Sequence, residues 1–306
     1  MKKDSKIFVA GHKGLVGSAI VRRLNELGYH NIVTRSRKEL DLKDTKQVEQ
    51  FFSEEEPEYV FDSAAKVGGI RANDTYSAEF IYENLMIQNN LIHSSYVSRV
   101  KKFLFLGSVC VYPKYAPTPV KESSLLDGLL EPTNEAYAVA KIAGIKMCQA
   151  YSKQYGMKTL TIMPANLYGP NDNFHPENGH VIPAMIEKFM KNSKSVVLWG
   201  DGTVTREFMY SDDMADACIF LMNSELCDGE IVNAGTGDEV SIRELSQLIA
   251  DAVEYKGNVG WDISKPNGTP KRPLDFSKIR SMGWKPKYTL AEGLAKTVQW
   301  YRENKI

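Results

Sequence analysis

A loop of seven residues near the N-terminus strongly constrains what this chain can fold into. Residues 11–17 have the spacing G-x-x-G-x-x-G, follow an apolar run at 6–10 and precede apolar residues at helical spacing. Such glycines permit a tight strand-to-helix turn and let backbone N–H groups approach a phosphate, which the positive end of the helix dipole also attracts. A plain tight turn is the alternative. We predict a dinucleotide pyrophosphate site formed by Gly11, His12, Lys13, Gly14, Leu15, Val16 and Gly17.

The first half of the chain alternates between strand-like and helix-like patterns. Short runs rich in β-branched or aromatic residues at 6–10, 31–34, 59–62, 102–106 and 159–163 are separated by segments of helical spacing. Alternation of this kind is typical of crossover units that build a parallel sheet. We therefore predict an α/β protein with a doubly wound parallel sheet of the Rossmann type.

The pattern changes after residue 170, where Pro, Gly and Asn become frequent. We predict a nucleotide-binding domain over residues 1–170 that also receives about 207–235. Residues 171–306 are predicted to form mainly a smaller α/β lobe that binds the substrate. The wide apolar stripe of the predicted helix at 76–97 fits either burial within one chain or a contact between two subunits.

Composition excludes several classes of function. Lys and Arg together number 38, as do Asp and Glu, so the net charge is zero and a broad nucleic-acid surface is not expected. No run of about 18 apolar residues predicts a membrane span, and the N-terminus lacks a signal-peptide pattern. The four cysteines form no C-x-x-C pair. We predict a cytoplasmic protein with reduced thiols and no metal site.

The end of the second predicted strand indicates which dinucleotide binds. An acidic residue about 20 positions after the glycine loop would bind the ribose 2′-hydroxyl of NAD. Residues 34–38 read Thr-Arg-Ser-Arg-Lys instead, and no carboxylate appears before Glu39. Arg35 and Arg37 suit a 2′-phosphate, so NADP(H) is the predicted cofactor. A solvated basic turn is the alternative.

Tyr137 and Lys141 are candidate catalytic residues for the reduction of a carbonyl group. Residues four apart share one helix face, so the ammonium is expected to lower the pKa of the phenol and make Tyr137 a proton donor. The pattern alone is common by chance. Ser108 gives it weight, because this serine follows the strand at 102–106, at the sheet edge where active sites of parallel sheets gather.

These residues resemble those of the extended short-chain dehydrogenase/reductase family. Closer matches to a branch of that family that acts on GDP-sugars lie at 64–73, 105–114, 131–148, 166–184 and 199–208, and residues 264–272 extend them. The resemblance implies that the protein forms a homodimer and uses NADPH to reduce the keto sugar of a GDP-sugar substrate. It also implies a wider cofactor site that includes Asp41, Leu42, Ala64, Lys141, Pro164, Asn166, Leu167 and His180.

Cys110 and His180 gain a role only through this resemblance. Without it, Cys110 is more often a small buried apolar residue and His180 a structural loop histidine. An extended strand end would place Cys110 on the same side as Ser108. The resemblance implies that Cys110 and His180 form an acid/base pair that epimerises C3″ and C5″ of the keto sugar.

The nucleotide end of the substrate is predicted at Lys188, Trp199, Arg206 and Arg272. The resemblance implies these residues, and ordinary surface charge is the alternative for Lys188 and Arg272. Asn267 stands where relatives commonly carry Asp, and Val109 where they often carry Ser.

Two other functions fit parts of the sequence. A sugar-nucleotide 4-epimerase or 4,6-dehydratase of the same superfamily would retain NAD and regenerate it in each turnover. A non-catalytic NADP-binding regulator would keep the glycine loop but would not need Ser108, Cys110, Tyr137, Lys141 and His180 together.

Overall fold

The structure is a computed structural model that describes residues 1–176, 179–226, 228–265 and 273–305. Its strands are β1 Ile7–Ala10, β2 Ile32–Val33, β3 Tyr59–Asp62, β4 Lys102–Leu106, β5 Thr159–Pro164, β6 Asn166–Tyr168, β7 Ser195–Trp199, β8 Thr205–Tyr210, β9 Glu230–Ala234, β10 Glu239–Ser241 and β11 Asn258–Asp262. Its helices are α1 Leu15–Glu26, α2 Thr45–Glu55, α3 Ile70–Thr75, α4 Ser77–Val97, α5 Glu135–Tyr155, α6 Val181–Lys191, α7 Ser211–Asn223, α8 Ile242–Ala252, α9 Ser277–Ser281 and α10 Leu290–Lys305.

A six-stranded parallel sheet forms the centre of the first lobe. Its order is β2-β1-β3-β4-β5-β9, so the strand order reverses between β1 and β3. The runs predicted at 59–62 and 102–106 are β3 and β4 with the predicted bounds, because their interior residues are apolar and buried, and Asp62 and Lys102 lie only at strand ends. The predicted strand at 31–34 shortens to Ile32–Val33, which pairs with β1 at the sheet edge.

Helices cover both faces of this sheet. Ala19 and Ile20 of α1 share one apolar cluster with Met214 of α7. On the other face, Val48 of α2 and Ile145 of α5 belong to a second cluster, together with residues of α4. A parallel sheet covered on both faces is the doubly wound arrangement, so the predicted fold class is confirmed.

The remaining elements build a smaller α/β unit with its own core. In the three-stranded sheet β10-β8-β6, β8 pairs antiparallel with β10 and parallel with β6. A two-stranded parallel sheet joins β7 to β11. Their core includes Ile186 of α6, Leu245 of α8 and Leu294 of α10. Strand β9 instead pairs with β5 of the large sheet, and α7 packs on α1.

No helix within the described residues is both long and apolar enough to cross a lipid bilayer.

The contact between α1 and the loop before it tolerates no side chain at Gly17. A Cβ there would lie 2.3 Å from the carbonyl oxygen of Gly11, whereas a Cβ at Gly14 would lie 3.4 Å from that oxygen. We expect Gly17→Ala to lower the free energy of unfolding by about 1–3 kcal/mol, because backbone must move to relieve the overlap. Urea denaturation measures the loss, with Gly14→Ala as the matched control. Equal stability of the two variants would contradict the prediction.

Candidate active site

A cleft of about 390 Å³ opens where the strand order reverses between β1 and β3. Cofactors of open parallel sheets bind at such a switch point, at the carboxyl ends of the strands. The cleft is lined by Gly11, His12, Lys13, Gly14, Arg35, Ser36, Arg37, Leu40, Asp41, Leu42, Lys43, Ser63, Ala64, Ala65, Lys66, Glu83 and Ile87. Most of the residues predicted to bind the cofactor from the first lobe therefore line one cavity.

The glycine loop has the backbone geometry that phosphate binding needs. Gly11 adopts a φ of +78°, which favours glycine, and the N–H of Gly14 donates to the Gly11 carbonyl at 2.9 Å. Gly14 is also the N-cap residue of α1 and supplies no side chain to cap it. The amino end of α1 therefore offers backbone donors and a positive dipole end to an anion in the cleft.

Two arginines of the cleft differ in their partners. Arg35 forms an ion pair with Glu55 and donates to the carbonyl of Thr34 at 2.9 Å. Arg37 is 73% exposed and lies 3.6 Å from Glu83. A loose, exposed ion pair contributes little to stability, so Arg37 can easily exchange Glu83 for another anion. Arg37 is therefore the better placed of the two to bind a phosphate.

Ser108, Cys110 and Tyr137 form one contact group after β4. Ser108 begins a short 3₁₀ turn at Val109–Val111, and its Oγ accepts from the N–H of Cys110 at 3.3 Å. The Tyr137 hydroxyl lies close enough to Ser108 and Cys110 for both residues to affect its pKa. The chain does not stay extended after Ser108, because this turn begins directly after it. The turn nonetheless keeps Cys110 beside the serine.

The environment of Tyr137 opposes ionisation. Burial raises the pKa of Tyr137 above its usual range and nearby Cys110 raises it further, whereas the hydrogen bond from Ser108 lowers it. The predicted lowering of this pKa by Lys141 is therefore wrong, because burial dominates. Tyr137 is held as a neutral phenol, the form that donates a proton.

Lys141 lies in the layer between the large sheet and α4 and α5. Its Nζ donates to the carbonyl of Leu106 at 2.9 Å and lies 4.6 Å from the ring centroid of Phe105. Asp62 is in register with Phe105 on the neighbouring strand, so both side chains face this layer. Asp62 is 1% exposed, and its Oδ2 has no hydrogen-bond partner among the described residues.

Burial is the main cause of the pKa shifts of Asp62 and Lys141. Loss of hydration raises the pKa of Asp62 to about 6, although attraction to Lys141 acts in the opposite direction. Burial lowers the pKa of Lys141 to about 8, and Asp62 is the main group opposing that shift. The carboxylate therefore helps to keep a charge on the buried ammonium.

His180 is held by the second lobe. It is the N-cap residue of α6, it is 48% exposed, and its Nδ1 lies 3.8 Å from Oδ1 of Asp172. The side chain of Asp172 is only 5% exposed. The nearby Asp172 carboxylate raises the pKa of His180, while partial burial acts against it. His180 therefore keeps its proton closer to neutral pH than an ordinary histidine.

A smaller cavity lies between the turn after Ser108 and the second lobe. Val109, Asn166 and Arg206 line it together with Tyr112 and Glu207. Asn166 also donates to the carbonyl of Glu207 at 2.9 Å. A predicted cofactor residue and a predicted substrate residue thus meet beside the turn that carries Cys110.

Trp199 forms a separate cationic and aromatic cluster. Its ring is 65% exposed and lies 5.7 Å from Nζ of Lys188 and 5.8 Å from Nζ of Lys265. Such a ring can stack on a planar base, and the two ammonium groups can bind phosphate. Arg272 lies outside the described residues. Within those residues, no group of three or more His, Cys, Asp or Glu side chains could hold a metal ion.

Three polar residues that were not predicted from the sequence lie beside the predicted ones. Asp62 ends a strand that reads as uniformly buried, so its charge was the available signal. Asp172 and Asn134 lie in the blocks at 166–184 and 131–148, where residue type alone did not distinguish them from loop residues. Asn134 Nδ2 donates to Sγ of Cys110 at 3.2 Å.

Comparison with known proteins extends the similarity over the whole chain. Residues 7–235 match the model of the NAD dependent epimerase/dehydratase family. The chain is 56% identical to GDP-L-fucose synthase 1 of Arabidopsis thaliana, over 99% of this chain and 94% of that protein. It is 51% identical to GDP-L-fucose synthase of Escherichia coli strain K12, over 98% and 97%. The solved GDP-L-fucose synthetase from Naegleria fowleri bound to NADP matches with a TM-score of 0.92 at 31% identity, over 99% of this chain and 94% of that chain.

The buried carboxylate makes stability depend on pH. Unfolded Asp titrates near 3.9, so a folded pKa of about 6 favours the protonated state of Asp62 in the native protein. The stabilisation that protonated Asp62 gives the native state is full below about pH 4 and is lost as pH rises through 6. The free energy of unfolding changes by an amount on the order of 3 kcal/mol. We expect Asp62→Asn to match the wild type near pH 4 and to be more stable at pH 7, as measured by urea denaturation.

Thr161→Val is the matched control for Asp62→Asn. Thr161 is in register with Phe105, is fully buried, and carries a hydroxyl without a partner among the described residues. Its replacement removes no titrating group, so its effect on stability should not vary with pH. If Asp62→Asn were less stable than the wild type at pH 7, attraction to Lys141 would outweigh the loss of hydration.

Proposed function

This chain belongs to the NAD dependent epimerase/dehydratase family and, within it, to the GDP-L-fucose synthases, and we propose that it converts GDP-4-keto-6-deoxy-D-mannose to GDP-L-fucose with NADPH. The observation that best supports this proposal is that Ser108, Cys110 and Tyr137 lie in one contact group at the carboxyl end of β4. It combines a proton donor for carbonyl reduction with a thiol suited to carbon-acid chemistry. A reductase without epimerase activity would not need the thiol.

The nucleotide cleft supports the choice of cofactor. Positions 11 and 14 lack side chains that would fill the phosphate cradle, and Arg37 lies in the same cleft where a 2′-phosphate would need a cation. NADPH bound there supplies the hydride for C4″. Lys141, Pro164, Asn166, Leu167 and His180 remain proposed contacts at the nicotinamide end.

The reduction step uses groups whose protonation states suit it. Ser108 and the neutral phenol of Tyr137 donate hydrogen bonds to the C4″ carbonyl oxygen, and Tyr137 transfers its proton as the alkoxide forms. Phenolate is then favoured by the buried charge of Lys141. Any attraction of the phenolate to Lys141 also lowers the pKa of Tyr137, and burial of the phenol outweighs it.

The epimerisation step uses the acidity that the C4″ carbonyl gives to C3″ and C5″. Cys110 and His180 exchange protons at these carbons, and Ser108 and Tyr137 stabilise the enolate oxygen. The Asp172 carboxylate raises the pKa of His180, which favours the protonated form that an acid in the exchange requires. At the GDP end, we propose Arg206 for the diphosphate and Trp199 with Lys188 for the nucleotide, with Arg272 as a further candidate.

The assembly and domain division are further proposals. Large apolar side chains are exposed on α4 and α5, among them Tyr82, Val97, Val139 and Tyr155. A homodimer formed through these helices would cover them. The division into residues 1–170 with 207–235 and residues 171–306 is supported by β9 and α7 in the first lobe, although β8 pairs within the smaller sheet. The cytoplasmic location stays a prediction.

Arg37 is expected to select NADPH over NADH. Removing a charged hydrogen bond to the 2′-phosphate costs about 1.5–3 kcal/mol, so Arg37→Ala should weaken NADPH binding by roughly 10- to 100-fold and leave NADH binding unchanged. Calorimetric titration of both cofactors measures this difference. Lys38→Ala, which removes a neighbouring exposed cation, is the control. Unchanged NADPH affinity in Arg37→Ala would remove Arg37 from the site.

Epimerisation and reduction should be separable by mutation. Cys110→Ser and His180→Asn should slow deuterium uptake from D₂O at C3″ and C5″ by about 10²- to 10⁴-fold, because each loses an acid/base group. NADPH oxidation should persist and give products other than GDP-L-fucose. Tyr137→Phe should impair NADPH oxidation more than deuterium uptake. Nuclear magnetic resonance of the products measures both steps.

His175→Asn is the control for the histidine, because His175 lies in the same loop as His180. Wild-type deuterium exchange in both Cys110→Ser and His180→Asn would exclude these residues as the epimerisation pair. A wild-type enzyme that converts a GDP-sugar without net consumption of NADPH would instead fit the 4-epimerase or dehydratase alternative.

A further inference from the structure

Asn134 occupies a helix position that its side chain does not use. It ends the 3₁₀ turn Pro132–Asn134 and is the N-cap residue of α5, yet it makes no side-chain capping bond. Asn is among the preferred N-cap residues because its amide oxygen accepts from the first backbone N–H groups. The amide of Asn134 therefore does not bind the first backbone N–H groups of α5, as an N-cap Asn ordinarily does.

The amide is directed to the sulfur of Cys110. Asn134 Nδ2 lies 3.2 Å from Sγ, and its Oδ1 is buried without a hydrogen-bond partner among the described residues. The N–H side of an amide stabilises a negative sulfur, whereas its carbonyl side would repel one. The orientation of Asn134 thus suits a thiolate.

The turn that carries Asn134 is anchored from the other side. Glu131 is nearly buried and forms an ion pair with Lys114 at 3.1 Å. Asn134 precedes Tyr137 by one helical turn, so the same chain segment fixes the thiol and the phenol. Cys110 in turn donates its N–H to Ser108. The backbone of Cys110 is therefore held by Ser108, and its sulfur is held by Asn134.

We propose that Asn134 is a positioning residue for Cys110, and that its amide N–H holds the sulfur as a thiolate for proton abstraction from the keto sugar. The proposal rests on the proposed function. In the step it supports, the C–H bond at the carbon next to the carbonyl breaks, its proton passes to sulfur, and its electron pair enters the enolate. The amide then faces a neutral thiol, which it binds less strongly.

A purely structural role for Asn134 makes a different prediction. If Asn134 only spaced the turn before α5, its loss would change stability and the yield of folded protein. It would not change the pH at which the thiol of Cys110 becomes reactive. The pH dependence of alkylation therefore separates the two roles, and it requires no substrate.

The test compares Asn134→Ser, Asn134→Asp and wild type in iodoacetamide alkylation of Cys110 from pH 5 to 10. Both replacements can cap α5, but neither supplies an N–H to sulfur. Mass spectrometry of the peptide that contains residue 110 distinguishes it from the other three cysteines. We expect the midpoint of the profile to move to higher pH and the rate at pH 7 to fall on the order of 10-fold.

Glu131→Gln is the matched control, since it loosens the same turn without touching sulfur. Its alkylation profile should coincide with that of the wild type. Deuterium uptake at C3″ and C5″ should fall on the order of 10-fold in Asn134→Ser, and more than NADPH oxidation does. Wild-type alkylation profiles in both Asn134 variants would overturn the proposal, even if deuterium uptake fell, because Asn134 would then act on the substrate and not on sulfur.

Failure of the proposed function gives a distinct result. If the wild type did not convert GDP-4-keto-6-deoxy-D-mannose, the enzyme assignment would fail, while the alkylation profiles would still decide whether Asn134 sets the reactivity of Cys110.

Discussion

The site depends on how closely the first helix approaches the first strand. Gly17 lies against the backbone of Gly11, and a Cβ on Gly11 would lie 2.9 Å from the backbone of Ala64. β1, β3 and α1 therefore meet through backbone atoms at the point where the strand order reverses. This contact leaves the amino end of α1 open to a phosphate, and it fixes the cleft relative to the carboxyl ends of β3 and β4.

A second constraint is the cost of burying charge beside that cleft. Asp62 and Lys141 lie in a layer that is otherwise mainly apolar, and each shifts toward its neutral form. Tyr137 is likewise kept neutral. Proton transfer is favoured where the donor starts neutral and a buried positive charge stabilises the resulting anion. The apolar layer therefore contributes to the chemistry as well as to stability.

The fold could be predicted well from sequence because its strands are short, buried and flanked by glycine or helical patterns. β3 and β4 matched their apolar runs, whereas the edge strand β2 was predicted too long because one neighbour supports few ladder contacts. Ser108, Cys110 and Tyr137 were identified, but the turn after Ser108 was not, since Val109–Val111 also reads as strand. Asn134 could not be singled out, because an Asn before a helix ordinarily predicts a cap.

Helix α5 carries Tyr137 near one end and Tyr155 at the other, where Tyr155 stacks on Tyr96 of α4 with ring centroids 4.3 Å apart. At 1.5 Å per residue, the two positions are about 27 Å apart along a continuous helix. The helix is therefore a lever: a tilt of one degree about the Tyr155 end displaces Tyr137 by roughly 0.5 Å, about the tolerance of a catalytic geometry. The packing of Tyr155 on Tyr96 thus influences the orientation of the Tyr137 phenol. A partner bound to that surface would change the rate of the reaction.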